Sequence, residues 1–195
     1  MKLIMQSIIK YEFNEHLATS KKTMESVSES IEIAALLCID SLKKGNKILL
    51  FGNGGSAADA QHIAAEIVGR YKTERKGLSA IALTTDTSIL TSISNDYGYS
   101  YIFKRQVEAL ANNGDVLIGI STGGTSANVV SALKIAKKLG CQSIGFSGRD
   151  GGEFNSVCDV NLKAIAEDTP RIQEMHILFG HIICHLIDQA FNNSN

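Results

Sequence analysis

Lys47-Ile48-Leu49-Leu50-Phe51-Gly52-Asn53-Gly54-Gly55-Ser56 is a short, unbroken apolar run that stops in a glycine-rich turn. A strand with one face in water alternates apolar and polar residues, whereas a strand covered on both faces has no reason to alternate. The run at 47–51 therefore reads as a strand in a sheet sandwiched between helices. The same pattern returns at 79–83, 116–120 and 142–146, and in weaker form at 159–165. Helical patterns near 56–70, 100–111 and 126–139 separate these runs, and a last helix follows near 170–191. Strand–helix alternation implies right-handed crossovers and a parallel sheet with helices on both faces. Upstream, residues 1–44 lack Gly and Pro, and Ile31, Ala34, Ala35 and Cys38 form one apolar helical stripe. Gly45 supplies the stop signal. The expectation is one α/β domain over 1–195, with an N-terminal helical segment at 1–44 and an α/β core at 45–195.

Composition narrows the function classes. Charged residues make up 20% of the 195 and hydrophobic residues 44%, as in ordinary globular chains. Nineteen basic against 20 acidic side chains leave no excess to neutralise a nucleic-acid backbone. No apolar run approaches the roughly 20 residues that span a bilayer, and Glu12, Glu15 and Lys21 interrupt the N-terminus where a signal peptide would be apolar. Cys38, Cys141, Cys158 and Cys184 are scattered and form no C-x-x-C pair, which argues against a cysteine-built zinc site and for a reducing compartment. A cytoplasmic protein without nucleic-acid or membrane partners is expected.

Three strands end in loops rich in Gly, Ser and Thr: Gly52-Asn53-Gly54-Gly55-Ser56, Ser121-Thr122-Gly123-Gly124-Thr125-Ser126, and Ser147-Gly148-Arg149-Asp150-Gly151-Gly152. All should lie at the carboxyl edge of the sheet, where open α/β folds bind ligands. Four hydroxyls and two glycines ahead of a helix N-terminus suit an oxyanion without a lysine. An ordinary turn with Ser126 as N-cap has the same appearance. The first loop resists a dinucleotide reading, because Ala57 stands where the third glycine of G-x-G-x-x-G belongs, and no Walker A pattern occurs.

Two helices carry polar residues off their apolar stripes. Ser56-Ala57-Ala58-Asp59 has capping-box spacing, and Ala60, Ile63, Ala64, Ile67 and Val68 form the stripe that follows. His62 and Glu66, four residues apart, point away from it among Ala58, Ala65 and Gly69. A face this small and weakly polar suggests cover from another subunit. In the last helix Thr169-Pro170 resembles an N-cap followed by a first-turn proline. Its stripe is Ile172, Met175, Phe179, Ile182, Ile183, Leu186 and Ala190, with Gln173 and His181 beside it. Each pair by itself fits a surface or locally satisfied polar pair. Together they compose an N/O donor set that suits a metal, and equally a set that moves protons between carbons. Asn95-Asp96 falls in a polar loop after the second strand and suits either a turn or sugar hydroxyls. His16, His176 and His185 read as structural.

The stretch from Gly52 to His62 continuing through Glu66, Gly69 and Arg70, together with Gly119-Ile120-Ser121-Thr122, Ser126-Ala127-Asn128-Val129 and Arg171-Ile172-Gln173-Glu174-Met175-His176, resembles the phosphoheptose isomerase family of SIS-fold proteins over nearly the whole chain. The resemblance implies a three-layer SIS fold with a five-stranded parallel sheet, and a homotetramer with active sites at subunit interfaces. It implies interconversion of sedoheptulose 7-phosphate and D-glycero-D-manno-heptose 7-phosphate, the first step toward nucleotide-activated heptose. It places one zinc per subunit on His62, Glu66, Gln173 and His181. Substrate contacts fall on Asn53, Gly54, Gly55, Glu66, Asn95, Asp96, Ser121, Thr122, Gly123, Ser126 and Gln173. Many relatives have Ser-Gly-Asn in the middle of the second loop; here Gly123 offers only backbone, and Thr125 partly compensates.

The expected chemistry is proton transfer between C1 and C2 through an enediol, with Glu66 as base and His181 as its acid partner. Rival readings are a non-enzymatic SIS protein that binds the replication initiator, a phosphosugar-sensing module, and another aldose–ketose isomerase. Initiator-binding relatives lack the histidine and glutamate of the metal set, whereas His62, Glu66 and His181 are all present here.

Overall fold

The computed structural model describes residues 1–192, so the last three positions of the expected domain lie outside the described residues. The apolar runs become β1 (Ile48–Gly52), β2 (Ala80–Ala82), β3 (Val116–Ile120), β4 (Gln142–Ser147) and β5 (Val160–Lys163). They form one parallel sheet in the order β2-β1-β3-β4-β5. Every residue of β1 and β3 is buried, as continuous apolar strands require. Ile48, Leu50, Val116, Ile118 and Phe146 point to one face; Leu49, Phe51 and Leu117 point to the other. Gly119 pairs with Gly145 in register. A Cβ on Gly119 would lie 2.8 Å from Leu133 Cδ1, so the missing side chain lets a helix settle closely on the sheet.

The helices are α1 (Lys2–Lys43), α2 (Gly55–Val68), α3 (Thr87–Tyr97), α4 (Ile102–Leu110), α5 (Ala127–Ala136), the single-turn α6 (Phe154–Val157) and α7 (Thr169–Phe191). One core joins α1, α2 and α7 to the first sheet face, and a second joins α4 and α5 to the other. α2 connects β1 to β2 and α5 connects β3 to β4, on opposite faces. The winding direction thus reverses between β1 and β3, and a crevice opens beyond their carboxyl ends. α1 is about 63 Å long at 1.5 Å per residue, and its buried residues begin only at Thr19. It ends where expected, with Gly45 at φ +80°.

Several local expectations need correction. Residues 87–97 form a helix rather than a polar loop, so Asn95 and Asp96 sit in the last turn of α3. Its Ser/Thr-rich sequence is a poor helix former, and none of its residues is fully buried; the Asp86 carboxylate, accepting from the Ile89 amide at 2.9 Å, caps it. The four-residue α6 was too short to show periodicity. Gly54, at φ +57° and ψ −121°, is the N-cap of α2, so Ser56 is a buried helical residue and no capping box forms. Val68 is exposed. In α7 the N-cap is Asp168, one residue earlier than expected; Leu186 and Ala190 are exposed while Ile187 is buried, because the packed stripe drifts around the longer helix.

Candidate functional site

The loops after β1 and β3 flank the crevice at the reversal point. In the first, the side chains of Asn53 and Asn128 exchange hydrogen bonds of 2.9 and 2.8 Å, and the Tyr99 hydroxyl donates to Asn53 Oδ1 at 3.0 Å. Asn128, in the first turn of α5, thereby ties the two loops together. Asn53, Gly54, Tyr99 and Thr84 line a cavity of about 90 Å³. In the second loop Ser121 Oγ and Ser126 Oγ lie 2.9 Å apart, and the Ser126 amide donates to Ser121 Oγ at 3.4 Å. Ser126 is the N-cap of α5, but its hydroxyl does not cap the helix. Thr122 and Gly123 occupy the turn between them, held by the Gly124 amide donating to the Ser121 carbonyl at 2.9 Å. A Cβ on Gly123 would come within 3.4 Å of Arg149 Nη1. Arg149 itself has φ +53°, the one positive φ at a non-glycine among the described residues.

α2 and α7 bring the titratable residues together. A Cβ on Gly180 would overlap Ile63 Cδ1 and lie 2.5 Å from its Cγ1, so the glycine is what permits the close approach. Beside this contact His181 Nε2 lies 3.5 Å from His62 Nε2, and the two rings meet edge to face at 5.0 Å. Glu66 Oε1 is 3.3 Å from His62 Nε2; the two side chains are 48% and 25% exposed, His62 the more open. Partial burial, with the charges of His62 and Lys72, draws the His181 pKa below its ordinary value against the opposing pull of Glu66. Gln173, two turns earlier on α7, reaches the first loop, since a Cβ on Gly55 would be 2.7 Å from its Nε2. Gly55 thus leaves space for the amide. Asn95 donates to Asp96 Oδ1 at 2.9 Å; both side chains are exposed, and no hydrogen bond joins them to the other candidate residues.

Imidazole nitrogens, a carboxylate and an amide oxygen are donors that zinc accepts, and four ligands at 2.0–2.1 Å in a tetrahedron stand roughly 3.3 Å from one another. The His62–His181 and His62–Glu66 separations match such edges. Among the described residues, however, no three His, Cys, Asp or Glu side chains are gathered closely enough to hold a metal ion as they stand.

Sequence reasoning missed three neighbours. Asp59, one turn before His62, has its carboxyl pushed up by burial and drawn back in part by His62. Tyr71 stacks on the His181 ring at 5.2 Å and 28°. Tyr99 reaches Asn53 from 46 positions away. Only Asp59 carried a local signal, its spacing on the His62 helix. His176 is buried, as a structural histidine should be, and its Nε2–H donates to the Ser147 carbonyl at 2.9 Å. His16 is not isolated: its Nδ1 meets Glu174 at 2.7 Å.

A parallel sheet with glycine- and hydroxyl-rich loops at its reversal point defines an open α/β ligand-binding domain, and the family model described as SIS domain matches residues 12–148. A phosphoheptose isomerase of Aliarcobacter butzleri is 61% identical over 97% of this chain and all of its own length. One of Helicobacter hepaticus is 57% identical over 94% of this chain and 93% of its own. The structure of phosphoheptose isomerase GmhA from Neisseria gonorrhoeae superposes with a TM-score of 0.90 at 45% identity, covering 95% of this chain and 99% of that one. The chain belongs to the phosphoheptose isomerase family of SIS-domain proteins. It is accordingly a sugar-phosphate isomerase, with a phosphorylated sugar as substrate.

Proposed function

We propose that the enzyme interconverts sedoheptulose 7-phosphate and D-glycero-D-manno-heptose 7-phosphate, supplying the first step toward nucleotide-activated heptose in the cytoplasm. The observation that carries this reading is the approach of Glu66 and His181 to His62 between α2 and α7, α2 being the helix that follows the first glycine-rich loop. Ser121, Thr122, Gly123 and Ser126 hold the phosphate through hydroxyls, backbone amides and the N-terminus of α5. That remote anchor positions C1 and C2 at the other end of the sugar. Asn53, Gly54, Gly55, Asn95, Asp96 and Gln173 contact the sugar. Glu66 takes the proton from C1 of the ketose and returns it to C2 of the enediol. His181, whose pKa partial burial draws below its ordinary value, carries the proton between O1 and O2.

His62, Glu66, Gln173 and His181 would hold zinc, one per chain. When bound it polarises the carbonyl as a Lewis acid. The assembly is a homotetramer. The first turns of α1 leave Leu3, Ile4, Ile8, Tyr11, Phe13 and Leu17 exposed, and His62 is half open in a lone chain; both observations favour cover from other copies.

The test is incubation with sedoheptulose 7-phosphate in D2O, followed by NMR. The aldose should form with deuterium at C2. Activity on other phosphosugars and none on this one would overturn the heptose reading. Ser121→Ala and Ser126→Ala should raise KM more than they lower kcat. Elemental analysis of protein purified without chelator should find zinc near one per chain, and metal-free protein with full activity would remove zinc from the reading. A monomeric mass by light scattering would remove the tetramer.

A further inference from the structure

Residues 69–77, between α2 and β2, form no regular element, yet they supply the cation of a buried ion pair. Arg75 Nε donates to Asp188 Oδ1 at 2.7 Å, and both side chains are 0% exposed. The rest of the guanidinium is spent on backbone carbonyls, two of them at the end of α2. Nη1 donates to the carbonyls of Ile67 at 2.9 Å and Lys76 at 3.1 Å, and Nη2 donates to that of Glu66 at 3.0 Å. A cation on the terminal carbonyls of a helix satisfies acceptors that have no partner within it, and it complements the dipole. The second Asp188 oxygen accepts from the backbone amides of Lys72, at 2.6 Å, and Thr73, at 2.9 Å. Asp188 belongs to α7, so this one carboxylate binds the segment and the α2 terminus to the helix that carries His181.

The residue next to those two amides is Tyr71. Its ring lies over α7 between His181, stacked at 5.2 Å and 28°, and His185, at 6.2 Å and 52°. Burial of two charges is costly and is retained only with full hydrogen bonding. Here the bonding is directed at backbone groups on either side of the tyrosine.

We infer that Tyr71 is a positioning residue for His181, and that the buried Arg75–Asp188 pair exists to hold it there. The ring forms a wall that fixes the imidazole plane, with the edge toward His62. Pair, wall and imidazole constitute one rigid unit, joining the end of the Glu66 helix to the His181 helix. The inference rests on the reading of His181 as a reacting group, and it assigns Tyr71 no proton to move.

The test begins on the as-purified protein without substrate. The ring protons of His181 should show an upfield NMR shift from the stacked phenol ring. Tyr71→Ala should abolish that shift and Tyr71→Phe should keep it. With sedoheptulose 7-phosphate, Tyr71→Ala should lower kcat by about ten- to a hundredfold, the size expected for a misplaced reacting group, with KM changed less than about twofold. Tyr71→Phe should restore turnover. Equal defects in Ala and Phe variants would assign the hydroxyl a chemical part and overturn the wall, as would unchanged kcat in Tyr71→Ala. Asp188→Asn should reproduce the loss of the ring shift. Because that variant risks unfolding, the unmodified protein supplies a second measure: the Lys72 and Thr73 amides should exchange with solvent as slowly as sheet amides. Fast exchange there would overturn the role of the pair. Retained NMR signatures in a protein inactive on heptose phosphates would leave the positioning intact and sink the function reading instead.

Discussion

The two faces of the sheet are built from similar apolar material but carry different duties. On the α4–α5 face, Leu49, Phe51, Phe103, Val107, Val129 and Leu133 close a core in which Gln106, bonded to the Leu83 and Ile102 carbonyls, is the notable polar group. On the α1–α2–α7 face the core is as dry at its centre, yet its helices also hold His62, Glu66, His176, His181 and the Arg75–Asp188 pair. Packing on the first face also seats the N-terminus of α5, with Ser126 and Asn128, beside the loops. Packing on the second sets the distance between α2 and α7, and the proposed reacting groups stand on both.

Exchanging damage between the faces is the strongest way to break this comparison. Glu66→Gln, on the second face, should cut kcat about 10²–10⁴-fold, the range for loss of a general base, with little change in the melting temperature. Leu133→Ala, on the first, should cost about 2–5 kcal/mol of stability while the folded fraction keeps its kcat. Chemical denaturation and steady-state assays on both variants read this directly; a crossed result would merge the two faces into one functional unit.

Acid sharpens the contrast, because the buried histidine lies on the second face. Burial pushes His176 down to about 4 from an ordinary value of 6.5, against the opposing effect of its bond to Ser147. Between those pH values the unfolded chain binds more protons than the folded one, so stability falls as pH drops from 6.5 to 4 and levels off below. The loss should be about 3 kcal/mol. Asp188 belongs to a lower window: burial pushes it up, but the Thr73 and Lys72 amides and Arg75 outweigh that and hold it below 3.8. Its contribution is present above 3.8 and is lost only at more acid pH. Urea midpoints at pH 7 and 5 should differ, and His176→Gln, whose amide can still reach the Ser147 carbonyl, should flatten the difference. An unchanged slope in that variant would assign the dependence elsewhere.

The smallest expected effect is at the contact between the two histidine helices. Gly180→Ala forces Ile63 to shift, and overpacking of this kind costs about 1–3 kcal/mol. The same shift parts His181 from His62, so kcat should fall together with stability. A variant destabilised but fully active would show that the α2–α7 spacing is not what sets the site.

Much of this was legible without coordinates, for a physical reason in each case. Continuous apolar runs at 47–51 and 116–120 mark strands with two buried faces, and β1 and β3 lie there with every residue covered. Gly45 stops α1 because a left-handed residue is needed. The i,i+4 spacing of His62 and Glu66 places them on one side of a helix whatever surrounds it. Residues 87–97 escaped because Ser and Thr compete for their own backbone, and a cap and partial packing decide such a segment.

What tertiary structure alone decided are the pairings across the chain. His62 meets His181 over 119 positions because Gly180 fits against Ile63. Asn53 meets Asn128 over 75 positions because β1 and β3 are neighbours in the sheet. Arg75 meets Asp188 over 113 positions, turning an irregular segment into a fixed support. Local pattern determines which face of an element is apolar and which side chains stand off it. Which elements face one another, and how closely, depends on how the whole core fills its volume, and no window of sequence contains that information.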